Sequence, residues 1–333
     1  MKKVLSISLL AFLLTSCANQ TNKPTKNATM PVEVEYIDGQ FYVLNNSDVE
    51  WKIGDKQIAK SDRLPFDEFG DKAISANGDT LELKSRFIPL EGTCNFRDLG
   101  GLITSNGKQI AYGKVFRADK LSELSDSDLA QLGSMNIKKV IDFRNDLEVQ
   151  DEPDNLDTTM TYIHLPIGDF DPKEFWKILD EVKDDLKKAD SLMLSLYKTF
   201  PIEHSEKYKS FFNELTVSES PLVFHCTAGK DRTGIGAALL YAALDVPLNT
   251  IASDYENSTY YRFDHNKKYL KIMTLRGVDP EVAQSIMGVK AEFIIEIFNE
   301  LEEQYGSVSN FLEEELGVND SIRDLLKAKY LIN

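Results

Sequence analysis

The sequence is poor in the residues from which metal centres are built. It contains four histidines and three cysteines among 333 residues. A transition-metal site needs several such side chains close together. The histidines, at positions 164, 204, 225 and 265, do not have ligand-like spacing. We therefore predict neither a metal site nor a cofactor.

Positive charge is also scarce. Lysine and arginine number 38 against 54 aspartates and glutamates, which gives a formal net charge of −16. Such a surface repels nucleic acids and anionic lipids at long range. Nucleic acid is therefore not an expected partner, and any site for a phosphate group must be a local region of positive charge.

The apolar segment near the N-terminus, Val4 to Leu14, is too short to cross a bilayer and is typical of a secretory signal. It ends in the sequence Leu14-Thr15-Ser16-Cys17, which resembles the lipobox of bacterial lipoproteins. We predict a signal peptide at residues 1–16, lipidation of Cys17, and a flexible tether at residues 17–30, which are mostly polar. The expected location is the bacterial cell envelope, outside the cytoplasm, with the membrane contacted through the lipidated cysteine.

Residues 31–90 carry the pattern of short β-strands. The alternating segment Val32 to Ile37 and the segment Gln40 to Leu44 flank Asp38-Gly39, a strong signal for a two-residue hairpin. The pattern predicts a small β-rich domain of sandwich type that contains no cluster of catalytic residue types.

In residues 91–333 strand and helix signals alternate. Ser125 to Asp128 resembles a capping box, Lys138 to Arg144 indicates a buried strand, and Asp171 to Asp190 indicates one charged helix. Only helices are predicted from Leu248 onward, the first of them ending at Arg262. Repeated strand–helix units predict an α/β fold with a mainly parallel sheet flanked by helices and an all-helical C-terminal part.

The segment His225 to Gly234 carries the strongest functional signal. It follows the apolar segment Pro221 to Phe224 and precedes a second one, Ile235 to Leu240, which predicts a strand, a tight loop and a helix. Backbone N–H groups and a helix N-terminus then converge on one point and form an anion site. The same field stabilises the thiolate of Cys226 at the end of the strand.

The residue types of the loop suit phosphoryl transfer. Cys226 is the candidate nucleophile, and Arg232 is the candidate bidentate ligand of two phosphate oxygens. Thr233 can donate a hydrogen bond to the thiolate, and His225 is expected to orient the loop rather than to transfer protons. The backbone N–H groups that would bind the phosphate belong to Thr227, Ala228, Gly229 and Lys230.

The reaction also needs a general acid, and three aspartates are candidates. Asp231 lies within the loop, Asp98 lies on the segment Asn95 to Gly101, and Asp169 lies near the start of the charged helix. We favour Asp231 because it is already in the loop.

The sequence His-Cys-x-x-Gly-Lys-Asp-Arg-Thr-Gly resembles the signature loop of the atypical bacterial tyrosine phosphatases. Other segments resemble further motifs of that family in the same order: Asn95–Gly101, Val115–Leu121, Val140–Arg144 followed by Glu148, Asp254-Tyr255, and Tyr305–Leu312. The resemblance covers about residues 91–333. It implies a cysteine-phosphatase fold, with Cys226 as nucleophile, Arg232 as phosphate ligand and Asp231 as acid. It also associates the loop lysine, Lys230, with acceptance of phosphoinositides, and it places residues 171–200 where some members carry a helical lid.

Several alternatives stay open. Cys94 is either a small residue in a tight site or a thiol that pairs reversibly with Cys226 in an oxidising compartment. Arg97 and Asp98 either form an internal salt bridge or contact the substrate. The expected function is hydrolysis of phosphotyrosine, with phosphoserine and phosphothreonine as further substrates, through a phosphocysteine intermediate. The alternatives are a phosphatase of phosphoinositides or inositol phosphates, and a non-catalytic binding lipoprotein.

Overall fold

The structure, a computed structural model, describes residues 23–66, 72–75, 78–168 and 172–332. The predicted signal peptide, Cys17 and Asp169 lie outside the described residues. Among the residues that are described, no helix is both long enough and apolar enough to cross a membrane.

The N-terminal strands form two antiparallel sheets that share one hydrophobic core. These strands are β1 (Val32–Ile37), β2 (Gln40–Asn45), β3 (Trp51–Ile53), β4 (Lys56–Ile58), β5 (Arg63–Pro65), β6 (Lys72–Ser75) and β7 (Thr80–Glu82). One sheet has the order β1-β2-β5 and the other β4-β3-β6-β7. Val32 from the first sheet and Trp51 from the second are buried in the same cluster. The expected hairpin joins β1 and β2, where Asp38 and Gly39 have the positive φ values of 50° and 87° that such a turn requires.

A five-stranded sheet of order β12-β11-β13-β10-β8 forms the centre of the remaining chain. The strands of this part are β8 (Arg97–Asp98), β9 (Gln109–Ile110), β10 (Val115–Ala118), β11 (Lys139–Asp142), β12 (Thr161–His164), β13 (Leu222–His225) and β14 (Leu331–Ile332). In the five-stranded sheet only β8 is antiparallel to its neighbour. The expectation of a mainly parallel sheet is therefore confirmed, and β13 occupies its middle.

Helices cover both faces of this sheet and make up most of the C-terminal part. They are α1 (Asp126–Ser134), α2 (Asp146–Asp151), α3 (Pro172–Val182), α4 (Leu186–Glu203), α5 (Ser205–Val217), α6 (Arg232–Ala243), α7 (Leu248–Leu275), α8 (Pro280–Met287), α9 (Ala291–Tyr305), α10 (Val308–Glu314) and α11 (Asp320–Tyr330). On β13, Leu222 and Phe224 pack in the cluster that includes α5 and α6, whereas Val223 packs in the cluster that includes α1. Burial on both faces explains why β13 is a continuous apolar segment rather than an alternating one.

Two helix predictions differ from the structure in their bounds. The charged segment Asp171 to Asp190 is not one helix, because α3 ends at Val182 and Asp185 caps the start of α4. The first C-terminal helix does not end at Arg262, since α7 continues to Leu275. The predicted capping box at the start of α1 is confirmed.

The segment predicted as a flexible tether is packed against the protein over its last residues. The backbone N–H of Asn27 donates to Oδ1 of Asn257 on α7 at 2.7 Å, and the Asn257 side chain donates back to the Asn27 carbonyl at 3.0 Å. Lys26 forms ion pairs with Glu33 and Glu35, and Met30 belongs to the main core. The prediction of a tether reaching residue 30 is therefore wrong for residues 26–30, because their polar groups find partners elsewhere in the fold.

Candidate active site

The loop between β13 and α6, residues 226–231, brings the predicted site residues together. Cys226 follows the last residue of the central strand and is 1% exposed. The backbone N–H of Gly229 donates to its sulfur, with a distance of 3.3 Å between N and Sγ. Because α6 begins at Arg232, the N-terminal end of this helix adjoins the same loop. The predicted strand, loop and helix are therefore present.

Side chains from three other segments hold the carbonyl groups of the loop. Asn95 Nδ2 donates to the carbonyls of Ala228 and Gly229 at 3.2 and 3.1 Å. Arg117 on β10 donates to the Gly229 carbonyl at 2.7 Å, and Arg262 on α7 donates to the Ala228 carbonyl at 3.0 Å. Since the carbonyls are turned toward these donors, the N–H groups of the loop are left to face an anion.

Arg232 is held by Glu148 on α2. Its two terminal nitrogens donate to the two carboxylate oxygens of Glu148, both at 2.7 Å, and the Thr227 hydroxyl donates to the same carboxylate. Burial alone would raise the pKa of Glu148, but the hydrogen bonds and charge of Arg232 lower it below its ordinary value. Burial alone would lower the pKa of Arg232, and the carboxylate raises it instead. The guanidinium group of Arg232 is thus charged, and Glu148 orients it.

Arg97 belongs to a buried charge cluster around Asp254 on α7. Asp254 lies 2.8 Å from Arg86, 3.8 Å from Arg97 and 3.3 Å from Arg117. Burial alone would raise the pKa of Asp254, but the three guanidinium groups lower it to about 2. Arg97 also donates to Ser258 Oγ at 3.0 Å. Arg97 therefore forms an internal salt bridge, but with Asp254 rather than with Asp98. Arg117 connects this cluster to the loop.

Asp98 is not placed to act as the general acid. Its carboxylate accepts the backbone N–H groups of Gly100 at 2.8 Å and Gly113 at 2.6 Å. Gly113 precedes β10, so the carboxylate lies toward the amino end of the parallel strands, whereas Cys226 follows the carboxyl end of β13. Burial raises the pKa of Asp98 to about 6. The alternative acid Asp98 is therefore wrong, and Asp169 stays a prediction outside the described residues.

Lys230 and Asp231 connect the loop to α4 and α8. Lys230 Nζ lies 2.9 Å from Asp231 Oδ1, 3.3 Å from the Tyr197 hydroxyl, and 3.2 and 3.1 Å from the carbonyls of Ile286 and Gly288. Burial together with the charge of Asp231 raises the pKa of Tyr197 well above its ordinary value. The expected substrate contact of Lys230 is thus limited to its backbone, since its ammonium group already has four acceptors.

His225 lies among carboxylates that orient it. Its Nδ1 is 3.2 Å from the Cys226 carbonyl, and its Nε2 is 3.0 Å from Asp154 and 3.8 Å from Asp142. Burial alone would lower the pKa of His225, but the two carboxylates raise it to about 8. A ring nitrogen of His225 and one carboxylate oxygen each of Asp142 and Asp154 lie within 4.8 Å of one another, a spacing that would also suit metal ligands. The cation that the structure shows between the carboxylates is Arg144, at 2.8 Å from each.

The remaining candidates are Thr233 and Cys94. Thr233 is fully buried, and among the described residues its hydroxyl oxygen has no hydrogen-bond partner, which leaves it free to donate to a thiolate. The Cys94 thiol donates to Asp119, with Sγ 3.2 Å from Oδ2. Burial and the charge of Asp119 raise the pKa of Cys94. Cys94 and Cys226 are both free thiols in this structure.

Residues 88–332 match the profile of a tyrosine phosphatase family. The chain belongs to this family. It is therefore a phosphatase, as the motifs predicted, and the predicted α/β fold of cysteine phosphatases is confirmed.

Relatives in several bacteria carry related names. A protein of Cupriavidus necator assigned as a tyrosine-protein phosphatase is 30% identical over 230 residues, covering 68% of this chain and 82% of the relative. The triple specificity protein phosphatase PtpB of Mycobacterium tuberculosis is 26% identical over 259 residues, covering 68% of this chain and 92% of the relative. Among solved structures, that of TpbA from P. aeruginosa with pTyr aligns with a TM-score of 0.24 and 15% identity, covering 54% of this chain and 89% of that one.

Five residues that shape the site of this phosphatase were not predicted as site residues: Glu148, Arg117, Asn95, Arg262 and Tyr197. Asn95, Arg117 and Glu148 lie in or directly after motif segments. For Arg117 a charged side chain within the apolar segment Val115 to Ala118 was a usable signal. Arg262 and Tyr197 lie on long helices far from the loop in sequence. Only the packing of α7 and α4 brings them to it.

Proposed function

We propose that this phosphatase hydrolyses phosphotyrosine through a phosphocysteine intermediate on Cys226. The observation that carries the proposal is the contact of 3.3 Å between the Gly229 N–H and Cys226 Sγ, in a loop whose carbonyls are bound elsewhere. Such N–H groups stabilise a thiolate and, when substrate is bound, the equatorial oxygens of the phosphoryl group.

In the first step the thiolate of Cys226 attacks phosphorus, and the bond from phosphorus to the phenolic oxygen breaks. Asp231 gives its proton to that oxygen, while Arg232 binds two of the phosphoryl oxygens. In the second step Asp231 takes a proton from water, whose oxygen attacks the phosphocysteine. The S–P bond then breaks, inorganic phosphate leaves, and the Thr233 hydroxyl stabilises the thiolate that is restored.

The depth of the nucleophile supports an aryl phosphate as the substrate. Cys226 is almost completely buried, so a phosphate at the end of a phenol ring reaches it more easily than one on the short side chain of serine. Phosphoserine and phosphothreonine remain part of the proposal as further substrates, supported by the relative named a triple specificity phosphatase.

A panel of substrates tests the proposal. We expect a phosphotyrosine peptide to be hydrolysed faster than phosphoserine, phosphothreonine or phosphoinositide substrates, and Cys226→Ser to abolish turnover of all of them. Trapping of ³²P on the wild-type chain in an acid-quenched reaction should show the intermediate, and Cys226→Ser should show none. Turnover that survives in Cys226→Ser would exclude the mechanism.

Hydrolysis of phosphoinositides is the second candidate, and the lysine of the loop favours it. The ammonium group of Lys230 would have to exchange the carbonyls of Ile286 and Gly288 for headgroup phosphates. Lys230→Gln should then reduce phosphoinositide turnover more than phosphotyrosine turnover; an equal reduction would reject this candidate. The third alternative, a binding lipoprotein without activity, is set aside because the chain belongs to a phosphatase family.

We further propose that the chain is anchored to the bacterial envelope by a lipid on Cys17, outside the cytoplasm. The support is the lipobox-like sequence Leu14 to Cys17 after an apolar segment. Metabolic labelling with a fatty acid should mark the wild-type chain and not Cys17→Ser. Equal labelling of both chains would reject the assignment.

A further inference from the structure

The end of α7 and the residues directly after it have a charge opposite to that of the whole chain. Residues 265–278 contain four basic residues, Lys267, Lys268, Lys271 and Arg276, and no acidic residue. The full chain has 54 acidic residues against 38 basic ones. A local region of this sign stands out in a protein of net charge −16.

Large apolar side chains are exposed between these lysines. Tyr269 is 37% exposed, Ile272 44% and Leu275 78%. The side chains of Asn266 and Met273 on the same helix are buried, so this half of α7 has a clear inner side. We call the exposed residues Lys267, Lys268, Tyr269, Lys271, Ile272 and Leu275 the α7 stripe.

We propose that the α7 stripe is a docking surface for the surface of an anionic phospholipid bilayer. Interfacial helices bind membranes by placing apolar and aromatic side chains at the headgroup boundary while flanking lysines contact anionic headgroups. The α7 stripe provides both kinds of side chain, apolar or aromatic ones and lysines. The net negative charge of the protein opposes approach at long range, but within a Debye length of about 10 Å at 0.1 M salt the lysines of the stripe dominate.

Among the described residues, one lysine of the stripe forms an ion pair with a carboxylate. Asp264, at the beginning of the stripe, pairs with Lys267 at 2.7 Å and with Lys23 at 3.4 Å. Glu123 pairs with Lys120 at 3.2 Å, and the hydrogen bond and charge of Lys120, with a smaller effect of Lys268, lower the pKa of Glu123. The contact between Lys23 and Asp264 also places residue 23 beside this helix.

Docking through this helix would bring the catalytic loop near the bilayer. Arg262, which holds the Ala228 carbonyl, precedes Ile272 by ten residues, or about 15 Å along the helix. A lipid on Cys17, if the proposed anchoring holds, is six residues from Lys23, a span of at most about 20 Å. Both distances keep the stripe, the loop and the anchor within reach of one surface.

Vesicle binding tests the proposal without any lipid anchor. A chain beginning at Ala18, which retains all described residues, is sedimented with vesicles of phosphatidylcholine alone or mixed equally with phosphatidylglycerol. We expect binding only to the mixed vesicles, and its loss at about 0.5 M salt. Lys267→Gln/Lys268→Gln/Lys271→Gln should weaken it about a hundredfold, since each lysine contributes about fivefold.

A matched variant distinguishes the effect of the stripe's own lysines from the effect of the net charge of the protein. Lys52, Lys108 and Lys138 are exposed lysines outside α7, and Lys52→Gln/Lys108→Gln/Lys138→Gln changes the net charge equally. We expect this variant to bind like the wild type. Ile272→Ser/Leu275→Ser should weaken binding roughly tenfold, because less apolar area is buried.

Two results would overturn the docking surface: no preference for phosphatidylglycerol, or equal losses in the two triple-lysine variants. Circular dichroism and turnover of p-nitrophenyl phosphate confirm that each variant is folded. Because vesicle binding is measured separately from turnover and lipidation, failure here leaves the proposed function untouched.

Discussion

At the scale of single residues, the carboxylate of Glu148 does two things: it neutralises Arg232 and it orients the guanidinium through two hydrogen bonds of 2.7 Å. Glu148→Gln keeps the size of the side chain and removes the charge. A charge-assisted hydrogen bond contributes about 1.5–3 kcal/mol, so we expect kcat/KM for p-nitrophenyl phosphate to fall about 10- to 100-fold. The exposed Glu206, which pairs with Lys209, is the control, and Glu206→Gln should leave kcat/KM unchanged. Equal activities of Glu148→Gln and the wild type would show that Arg232 needs no partner.

The Tyr197 hydroxyl is a second positioning group, because it accepts from Lys230, which also pairs with the proposed acid Asp231, and the charge of Asp231 acts on it. In Tyr197→Phe, we expect the acid to be less well oriented. General-acid catalysis matters most for poor leaving groups. The variant should therefore lose severalfold in kcat on phenyl phosphate and little on p-nitrophenyl phosphate.

Tyr330 serves as the matched control for Tyr197, since its buried hydroxyl donates to the Leu215 carbonyl at 2.6 Å. Tyr330→Phe should show no dependence on the leaving group. A uniform loss over both substrates in Tyr197→Phe would mean that the hydroxyl supports the fold and not the acid.

At the scale of elements, the loop depends on a backbone that approaches β10 closely at Gly229. This residue has a φ of +65°, and a Cβ there would lie 2.3 Å from the carbonyl oxygen of Ala118. Gly107 has a φ of +82° and open space around the same position. Gly107→Ala should therefore cost about 1–2 kcal/mol in the free energy of unfolding from backbone strain alone.

Gly229→Ala adds a steric clash to the same strain. We expect a further loss of about 1–3 kcal/mol and loss of phosphatase activity, because the N–H of residue 229 would move away from Cys226. Urea denaturation of both variants, with activity measured in parallel, checks this. If Gly229→Ala is no less stable than Gly107→Ala, the loop tolerates displacement from β10.

Elements with a strong local signal were predictable from the sequence. The strand, loop and helix around Cys226 follow from two apolar segments and a glycine-containing loop, and the hairpin at Asp38-Gly39 follows from its turn residues. The break between α3 and α4 was missed, because it depends on a single cap at Asp185 within a uniformly charged segment. The attachment of residues 26–30 was missed because the partners of Asn27 and Met30 are distant in sequence.

At the scale of the whole molecule, buried charges couple stability to pH. The pKa of His225 is about 8 in the folded chain, above the ordinary value of 6.5, because Asp142 and Asp154 surround it. Because this pKa is raised, the interaction of protonated His225 with the two carboxylates stabilises the fold fully below pH 6.5. This stabilisation is lost as pH rises through 8. The pKa of Asp98 is also raised, to about 6, so its own contribution to stability changes mainly below pH 6.5.

We therefore expect the free energy of unfolding to fall by about 2 kcal/mol between pH 6.5 and pH 9, because a shift of one pKa unit corresponds to about 1.4 kcal/mol. Urea denaturation at several pH values measures this slope. His225→Gln cannot carry the charge and should flatten the curve in this window, with lower stability at pH 6.5. Asp154→Asn removes the carboxylate at 3.0 Å and should reduce the slope while keeping the imidazole. A wild-type curve that is flat or rises over this window would show that His225 is neutral in the folded chain, and that Arg144 alone balances the two carboxylates.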